Sequence, residues 1–240
     1  MTMSKPLRVG LVQCGYVHAD LVSEFGDYPD VFAALLAPFD LELITYDVQH
    51  DALPAGPTEC DAWIVSGSAD STYDELPWIA PVEQFVRDLV LADVPLVAIC
   101  FGHQLLAQAL GGRVAKCDDG WGVGVHEYQL TQPETCTGAP SSGAVRLIAS
   151  HQDQVTQLPP GAVVTATTAH CPFAAYTIGP RVLAIQPHPE FGAGLSRGLI
   201  EARRERIGAG VCDQALDSLD QPLDQAVVAQ WIFAVLNQDD

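Results

Sequence analysis

The sequence predicts an α/β fold in three layers: a central, mostly parallel sheet flanked by helices, with a smaller antiparallel β portion. Two observations on patterning predict it. Through the first half, short continuous apolar runs alternate with amphipathic stretches, as buried parallel strands and their covering helices do. Through the middle, strand-like runs follow one another with few helices between them, which signals antiparallel or mixed pairing. The composition agrees: 240 residues, 48% hydrophobic and 17% charged, make a globular chain and exclude general disorder.

The elements follow in order. Leu7–Cys14 reads as a buried strand, and a helical stretch after it ends near Val31–Phe39. Leu41–Tyr46 is a second apolar, β-rich run. Residues 51–59 hold Pro54, Gly56 and Pro57 and read as a loop. Ala62–Val65 is a third strand, closed by Ser66-Gly67-Ser68. Val82, Phe85, Val86, Leu89 and Val90 recur at helical spacing, so Trp78–Ala92 is an amphipathic helix. Val94–Ile99 is a fourth strand, and Gln104–Leu110 is a short helix stopped by Gly111-Gly112. The strand-like runs of the middle are Arg113–Cys117, Val123–Thr131, Val145–Ala149, Val163–Thr168 and Ala174–Ile178. Val182–Gln186 is another buried strand, and Leu195–Ile207 and Leu223–Leu236 are closing helices. No repeat, low-complexity tract or linker interrupts the chain. One domain over residues 1–240 is expected, with a core of about 7–207 and a C-terminal helical extension over 208–240.

Charge and cysteine usage exclude several classes. Acidic residues outnumber basic ones by 30 to 11, a net charge of −19, which repels phosphate backbones, so no nucleic-acid partner is expected. No apolar run approaches the ~18 residues of a membrane span, and Met1–Arg8 carries no apolar signal core. The seven cysteines, Cys14, Cys60, Cys100, Cys117, Cys136, Cys171 and Cys212, form no C-x-x-C pair. Neither a metal site nor a disulfide framework is signalled, and reduced thiols in a cytoplasmic protein are expected. The one basic cluster, Arg203, Arg204 and Arg206 among Glu201 and Glu205, reads as an exposed helix face.

Two motifs carry chemistry. In the first, the strand from Pro95 runs into Cys100-Phe101-Gly102-His103-Gln104. A sharp strand-to-helix turn lifts a nucleophile above the carboxyl edge of a sheet, and the N–H groups of the following helix favour a thiolate. On this motif alone, a buried structural cysteine ending a strand is an equal reading. The second motif is a buried strand ending in His188-Pro189-Glu190. Strand side chains repeat every two residues, so His188 and Glu190 can share a side, with Glu190 fixing the imidazole tautomer and the other nitrogen facing a thiol.

The elbow at Cys100 and the His188-Pro189-Glu190 strand end resemble the class I glutamine amidotransferase family. The resemblance extends to Val65-Ser66-Gly67-Ser68, similar to the family's oxyanion loop, and to Ser150-His151-Gln152-Asp153-Gln154-Val155, similar to its S-H-x-D-x-V segment. The four motifs, in family order, cover roughly residues 7–207. Two departures stand out: Ala98 occupies the position of a family glycine two residues before the nucleophile, and Ser68 replaces a second loop glycine. Within the family, the chain looks like the stand-alone branch that resembles the amidotransferase half of GMP synthetase and includes γ-glutamyl peptidases.

The resemblance implies a flavodoxin-like fold and a Cys100, His188 and Glu190 triad. It also implies an oxyanion hole of the Gly67 and Phe101 amides, and a substrate pocket beside Gln104, Ser150 and His151. The implied reaction is hydrolysis of the γ-glutamyl amide of glutamine, or of a γ-glutamyl compound, through a thioester on Cys100. Delivery of ammonia to a separate synthetase is the alternative, and a non-catalytic binding module on the same fold is the second. No cofactor is implied. Ser66-Gly67-Ser68-Ala69-Asp70-Ser71 superficially resembles a pyrophosphatase phosphate loop. It follows the third strand rather than the first, and no nucleotide site is expected.

Overall fold

The computed structural model describes residues 5–131, 138–140 and 143–238; Met1–Ser4 and Cys136 lie outside the described residues. In chain order the strands are β1 (Leu7–Gln13), β2 (Leu41–Asp47), β3 (Ala62–Val65), β4 (Leu96–Ile99), β5 (Arg113–Lys116) and β6 (Gly122–Leu130). They continue with β7 (Ala144–His151), β8 (Asp153–Gln157), β9 (Ala162–Thr167), β10 (Ala175–Ile178) and β11 (Val182–Ile185). The helices are α1 (Ala19–Phe25), α2 (Tyr28–Leu36), α3 (Ile79–Leu91), α4 (Phe101–Ala109), α5 (Ala193–Ala202), α6 (Arg204–Ile207), α7 (Ala209–Ser218) and α8 (Gln225–Leu236).

Nine strands form one sheet in the order β2-β1-β3-β4-β11-β10-β9-β6-β7, with β5 and β8 paired separately. The first five are mutually parallel and the rest antiparallel. The antiparallel portion is therefore a continuation of the same sheet. It also rolls back: Ile148 on the far edge strand β7 makes an antiparallel bridge to His188, three residues past β11. That roll brings the end of β7 beside the carboxyl edge of the parallel half.

Period-two alternation explains the layers. Leu11, Ile64 and Ile99 face one cluster, with Phe32 of α2 and Val228, Trp231 and Ile232 of α8. Val12, Trp63, Val65 and Leu96 face the other, with Leu89 of α3 and Phe101 of α4. Both faces of β3, β4 and β11 are dry, which is why they read as continuous apolar runs. Each such side chain contributes about 1.5–3 kcal/mol on burial. Helix α8, in the C-terminal stretch, completes the first layer. No helix among the described residues is long and apolar enough to cross a membrane.

The structure differs from the sequence reading in four places, the first being strand β8 (Asp153–Gln157), which the sequence reading did not give. Helix α4 begins at Phe101, directly after Cys100, not at Gln104. Helix α7 lies in the expected C-terminal helical extension but was not singled out there: it buries only Cys212 and Ala215 and contains Gly210, so its apolar period is faint. The expected helix Leu195–Ile207 is two helices broken at Arg203, whose backbone (φ −107°, ψ 11°) leaves the α-region. The Arg203 amide is shared between the carbonyls of Leu199 and Ile200.

Candidate active site

Cys100 sits where β4 ends and α4 begins. Its φ of 51° and ψ of −101° are left-handed, unusual for a residue with a Cβ, and cost about 1–3 kcal/mol. The turn is held from both sides: the Cys100 amide donates to the Ile185 carbonyl on β11 (2.8 Å), and the Gln104 amide donates to the Cys100 carbonyl (3.1 Å). The sulfur is buried at the N-terminus of α4, where unpaired amides favour negative charge. Ala98 is buried in register with Val65 and Ala184.

Glycine at 102 is required by the closeness of the elbow to β3. A Cβ there would stand 2.5 Å from the Val65 carbonyl oxygen, a backbone atom that cannot swing away. Gly102→Ala is expected to lower stability by about 1–3 kcal/mol, as overpacking does. Urea unfolding checks this through a lower midpoint at unchanged slope.

His188 arrives by a route the period-two argument did not describe. Strand β11 ends at Ile185, and His188 and Glu190 lie in the turn beyond it. His188 is fixed by its amide, which donates to the Ile148 carbonyl (2.8 Å), and by its ring, which stacks on Phe191 (centroids 4.1 Å apart, planes 1° apart). Its Nδ1–H donates to Glu190 Oε1 at 2.7 Å, and the imidazole lies within electrostatic reach of the Cys100 side chain. Both the His188 and Glu190 side chains are buried. Burial alone would push the imidazole pKa down. The negative charges of Cys100 and Glu190, with the hydrogen bond to Glu190, win and raise it to about 10.

A sign follows for Glu190. The imidazolium is lost as pH rises through its raised pKa, so that pKa sets an alkaline limb of activity. Removing the Glu190 charge removes one of the influences holding it up. Glu190→Gln is expected to shift the alkaline limb of kcat/KM to lower pH, which a pH–rate profile of both proteins measures.

The loop after β3 is pinned to the elbow by the Gly102 amide, which donates to the Ser66 carbonyl (3.1 Å). Neither the Gly67 nor the Phe101 amide has a protein acceptor among the described residues. Gly67 also passes close to two side chains: a Cβ would lie 2.7 Å from Tyr28 Oη and 3.0 Å from His188 Cε1. Tyr28 was not legible as a site residue, because a tyrosine opening an amphipathic helix reads as core. Burial first, and then the charges of Glu190 and Cys100, hold its phenol well above the usual range, so it remains protonated.

In front of Cys100 lies a small, open-mouthed pocket of about 50 Å³, lined by Gln104, Ser150 and His151 together with Asp70, Asp153 and other residues. Gln104 is itself engaged. Its Nε2 donates to the Asp153 carbonyl (2.8 Å) and to Gln186 Oε1 (3.1 Å), so it clamps the start of β8. Ser150 Oγ accepts from Arg203 Nη1 (3.1 Å). His151 is buried with neither ring nitrogen hydrogen-bonded. Burial and its neighbours His170 and His126 hold it well below the ordinary histidine range, hence neutral. Among the described residues, no group of three or more His, Cys, Asp or Glu side chains is arranged to hold a metal.

The basic cluster is not the uniform exposed face expected. Arg204 is paired on the surface with Glu201 (2.9 Å) and Asp213 (2.8 Å). The break at Arg203 turns Arg203 and Arg206 the other way, and both line the pocket. Trp121 lines it too, with the Arg206 guanidinium 5.0 Å from its ring.

Residues 32–202 match the family of class-I glutamine amidotransferases. The chain is 27% identical over 183 residues to γ-glutamyl peptidase 4 of Arabidopsis thaliana, covering 74% of this chain and 73% of the relative. It is 30% identical over 176 residues to one subunit of the glutamine-hydrolyzing GMP synthase of Halobacterium salinarum, covering 72% of this chain and 88% of that relative. Among solved structures, a glutamine amidotransferase from Methylobacillus flagellatus superposes with a TM-score of 0.74 at 24% identity, over 97% of this chain and 92% of that one. With more than half of its length matched, the chain belongs to the class-I glutamine amidotransferase family.

Proposed function

We propose that the protein is a cysteine hydrolase that cleaves the γ-glutamyl amide bond of glutamine or of a γ-glutamyl compound. The Cys100 thiolate attacks the amide carbon. The oxyanion that forms faces the Gly67 and Phe101 amides, whose hydrogens have no other acceptor among the described residues. His188, oriented by Glu190, gives its proton to the departing nitrogen as the C–N bond breaks, leaving a γ-glutamyl thioester. A water then loses a proton to His188 and attacks the thioester, which releases glutamate and regenerates the thiolate and imidazolium. The observation that carries this reading is His188 itself: one buried imidazole hydrogen-bonded to Glu190 and interacting with Cys100 at a strained elbow.

The similarity to a GMP synthase subunit supports a second reading, a glutaminase that passes ammonia to a separate synthetase. The loop after β3 favours the free hydrolase, because the chain's own groups hold it. Ser71 Oγ donates to Asp153 Oδ2 (2.5 Å), Thr72 Oγ1 donates to Gln108 Oε1 (3.0 Å), and Trp78 lies against Phe101 (5.3 Å). Tyr73, another bulky residue of this loop, is largely exposed. A non-catalytic module would have no use for the strained Cys100. The free thiols, Cys14, Cys60, Cys100, Cys117, Cys171 and Cys212, suit a reducing, cytoplasmic setting.

The test is glutamate release by the purified protein from glutamine, glutathione and γ-glutamyl amides, without ATP and without a second protein. Release from any of them is expected. Silence with all of them, relieved by a partner synthetase, overturns the free-hydrolase reading in favour of the ammonia donor.

A further inference from the structure

Tyr28 stands where the loop after β3 meets His188, and its place is fixed from the backbone outward. It opens α2 directly after Asp27, whose carboxylate accepts from Gln13 Nε2 (2.8 Å) at the end of β1 and from the Val17 amide (2.7 Å). The start of α2 is thereby tied to the parallel half of the sheet. The buried Tyr28 ring packs on Phe32 (centroids 6.3 Å apart) and on Phe191 (6.0 Å). Phe191 in turn lies flat on the His188 imidazole.

The phenol oxygen closes this chain of contacts into a circuit. The point where a Cβ on Gly67 would stand is 2.7 Å from Tyr28 Oη and 3.0 Å from His188 Cε1, so the oxygen and the imidazole edge both rest against that one glycine. The ring carbon behind the oxygen, Cζ, is 3.4 Å from the same point, an ordinary van der Waals distance. A phenylalanine at 28 would therefore keep the ring packing and lose the close seat against Gly67. The hydroxyl makes no hydrogen bond among the described residues, so that seat is what the oxygen adds. A glycine needs such a seat, because without a Cβ its own backbone is free to turn. Its direction matters, because an oxyanion donor works only when already aimed at the place where charge develops. We propose that Tyr28 is a positioning residue of the oxyanion hole: its hydroxyl oxygen seats Gly67 against His188 and so fixes the direction of the Gly67 amide. This inference rests on the hydrolase reading above, in which that amide receives the oxyanion.

The experiment uses Tyr28→Phe in the full-length protein. The kcat for glutamate release is expected to fall about tenfold with KM within about twofold of native, since a displaced oxyanion donor costs part of what a deleted one does and acts only in the transition state. Affinity for the γ-aldehyde analogue of glutamine, whose carbonyl becomes an oxyanion when the Cys100 sulfur adds to it, is expected to fall by the same factor. Alkylation of Cys100 by iodoacetamide builds no oxyanion and is expected to keep its native rate. A merely structural tyrosine would lower the unfolding midpoint and leave the aldehyde affinity alone. Gly67→Ala tests the contact itself. Its loss in kcat is expected to be about threefold or more smaller in the Tyr28→Phe background than in the native one, because the added methyl no longer meets the oxygen. Native kcat and aldehyde affinity in Tyr28→Phe, a slowed alkylation, or additive losses in the double variant overturn the proposal and leave the hydrolase reading standing. A native protein that releases no glutamate from any γ-glutamyl compound overturns the hydrolase reading, and the aldehyde affinities then decide the role of Tyr28 alone.

Discussion

Cys100→Ala is expected to abolish glutamate release, a loss on the order of 10⁴-fold or more, because removing the nucleophile leaves only binding and the oxyanion amides. The same substitution at Cys14 or Cys212 is expected to leave turnover intact. The contrast is one of environment. Burial pushes up the thiols of Cys14 and Cys212, and that of Cys171 to about 12, so these side chains are protonated at neutral pH and act as small apolar groups. Cys100 alone among the described cysteines stands at a left-handed turn on a helix N-terminus with the charge of an imidazole acting on it. Steady-state glutamate release by the three variants decides the matter, with circular dichroism confirming that each is folded.

His188→Ala is the second large effect, expected to cost about 10²–10⁴-fold in kcat/KM, the usual worth of a positioned proton carrier. The loss reaches past the proton. Without the imidazolium the thiolate of Cys100 loses its partner, and the buried Glu190 side chain loses the one hydrogen bond it makes among the described residues, since Oε2 has none. Glu190→Gln should be milder, because Phe191 stacking and the amide bond to Ile148 still hold the ring. Substitution of His18 or His50, both exposed and paired with nearby aspartates, should change little. His126 is more buried but bonds to the Val123 carbonyl, away from the sulfur, and is expected to be dispensable as well. Alkylation of Cys100 by iodoacetamide gives a second readout: it should slow in His188→Ala near neutral pH and hold its native rate in His50→Ala.

Much of this arrangement was legible in the sequence because it is local. A four-residue apolar strand, a cysteine and then a glycine two positions on can fold in few ways, and the turn at Cys100 is one of them. The meeting of His188 with Glu190 was also legible, although strand alternation is not what produces it. The strand ends at Ile185, and a turn brings the two side chains together. What could not be read was non-local. That β7 returns to His188 depends on the roll of four antiparallel strands, which no local pattern encodes. Arg203 and Arg206 were visible as a basic cluster. Their direction depends on a break at Arg203 that an uninterrupted helical pattern conceals. Tyr28 left no signal, since a half-apolar ring at the start of an amphipathic helix serves a core equally well.

The central claim is that Cys100, and no other group, becomes acylated by the γ-glutamyl moiety. A glutamine analogue with a chloromethyl ketone in place of the γ-amide tests it most directly, because attack by the nucleophile traps it irreversibly. Intact mass after incubation, followed by peptide mapping, is expected to show one adduct per chain, on Cys100, blocked by excess γ-glutamyl substrate and absent from Cys100→Ala. An adduct on any other residue, or loss of activity with Cys100 unmodified, would contradict the account.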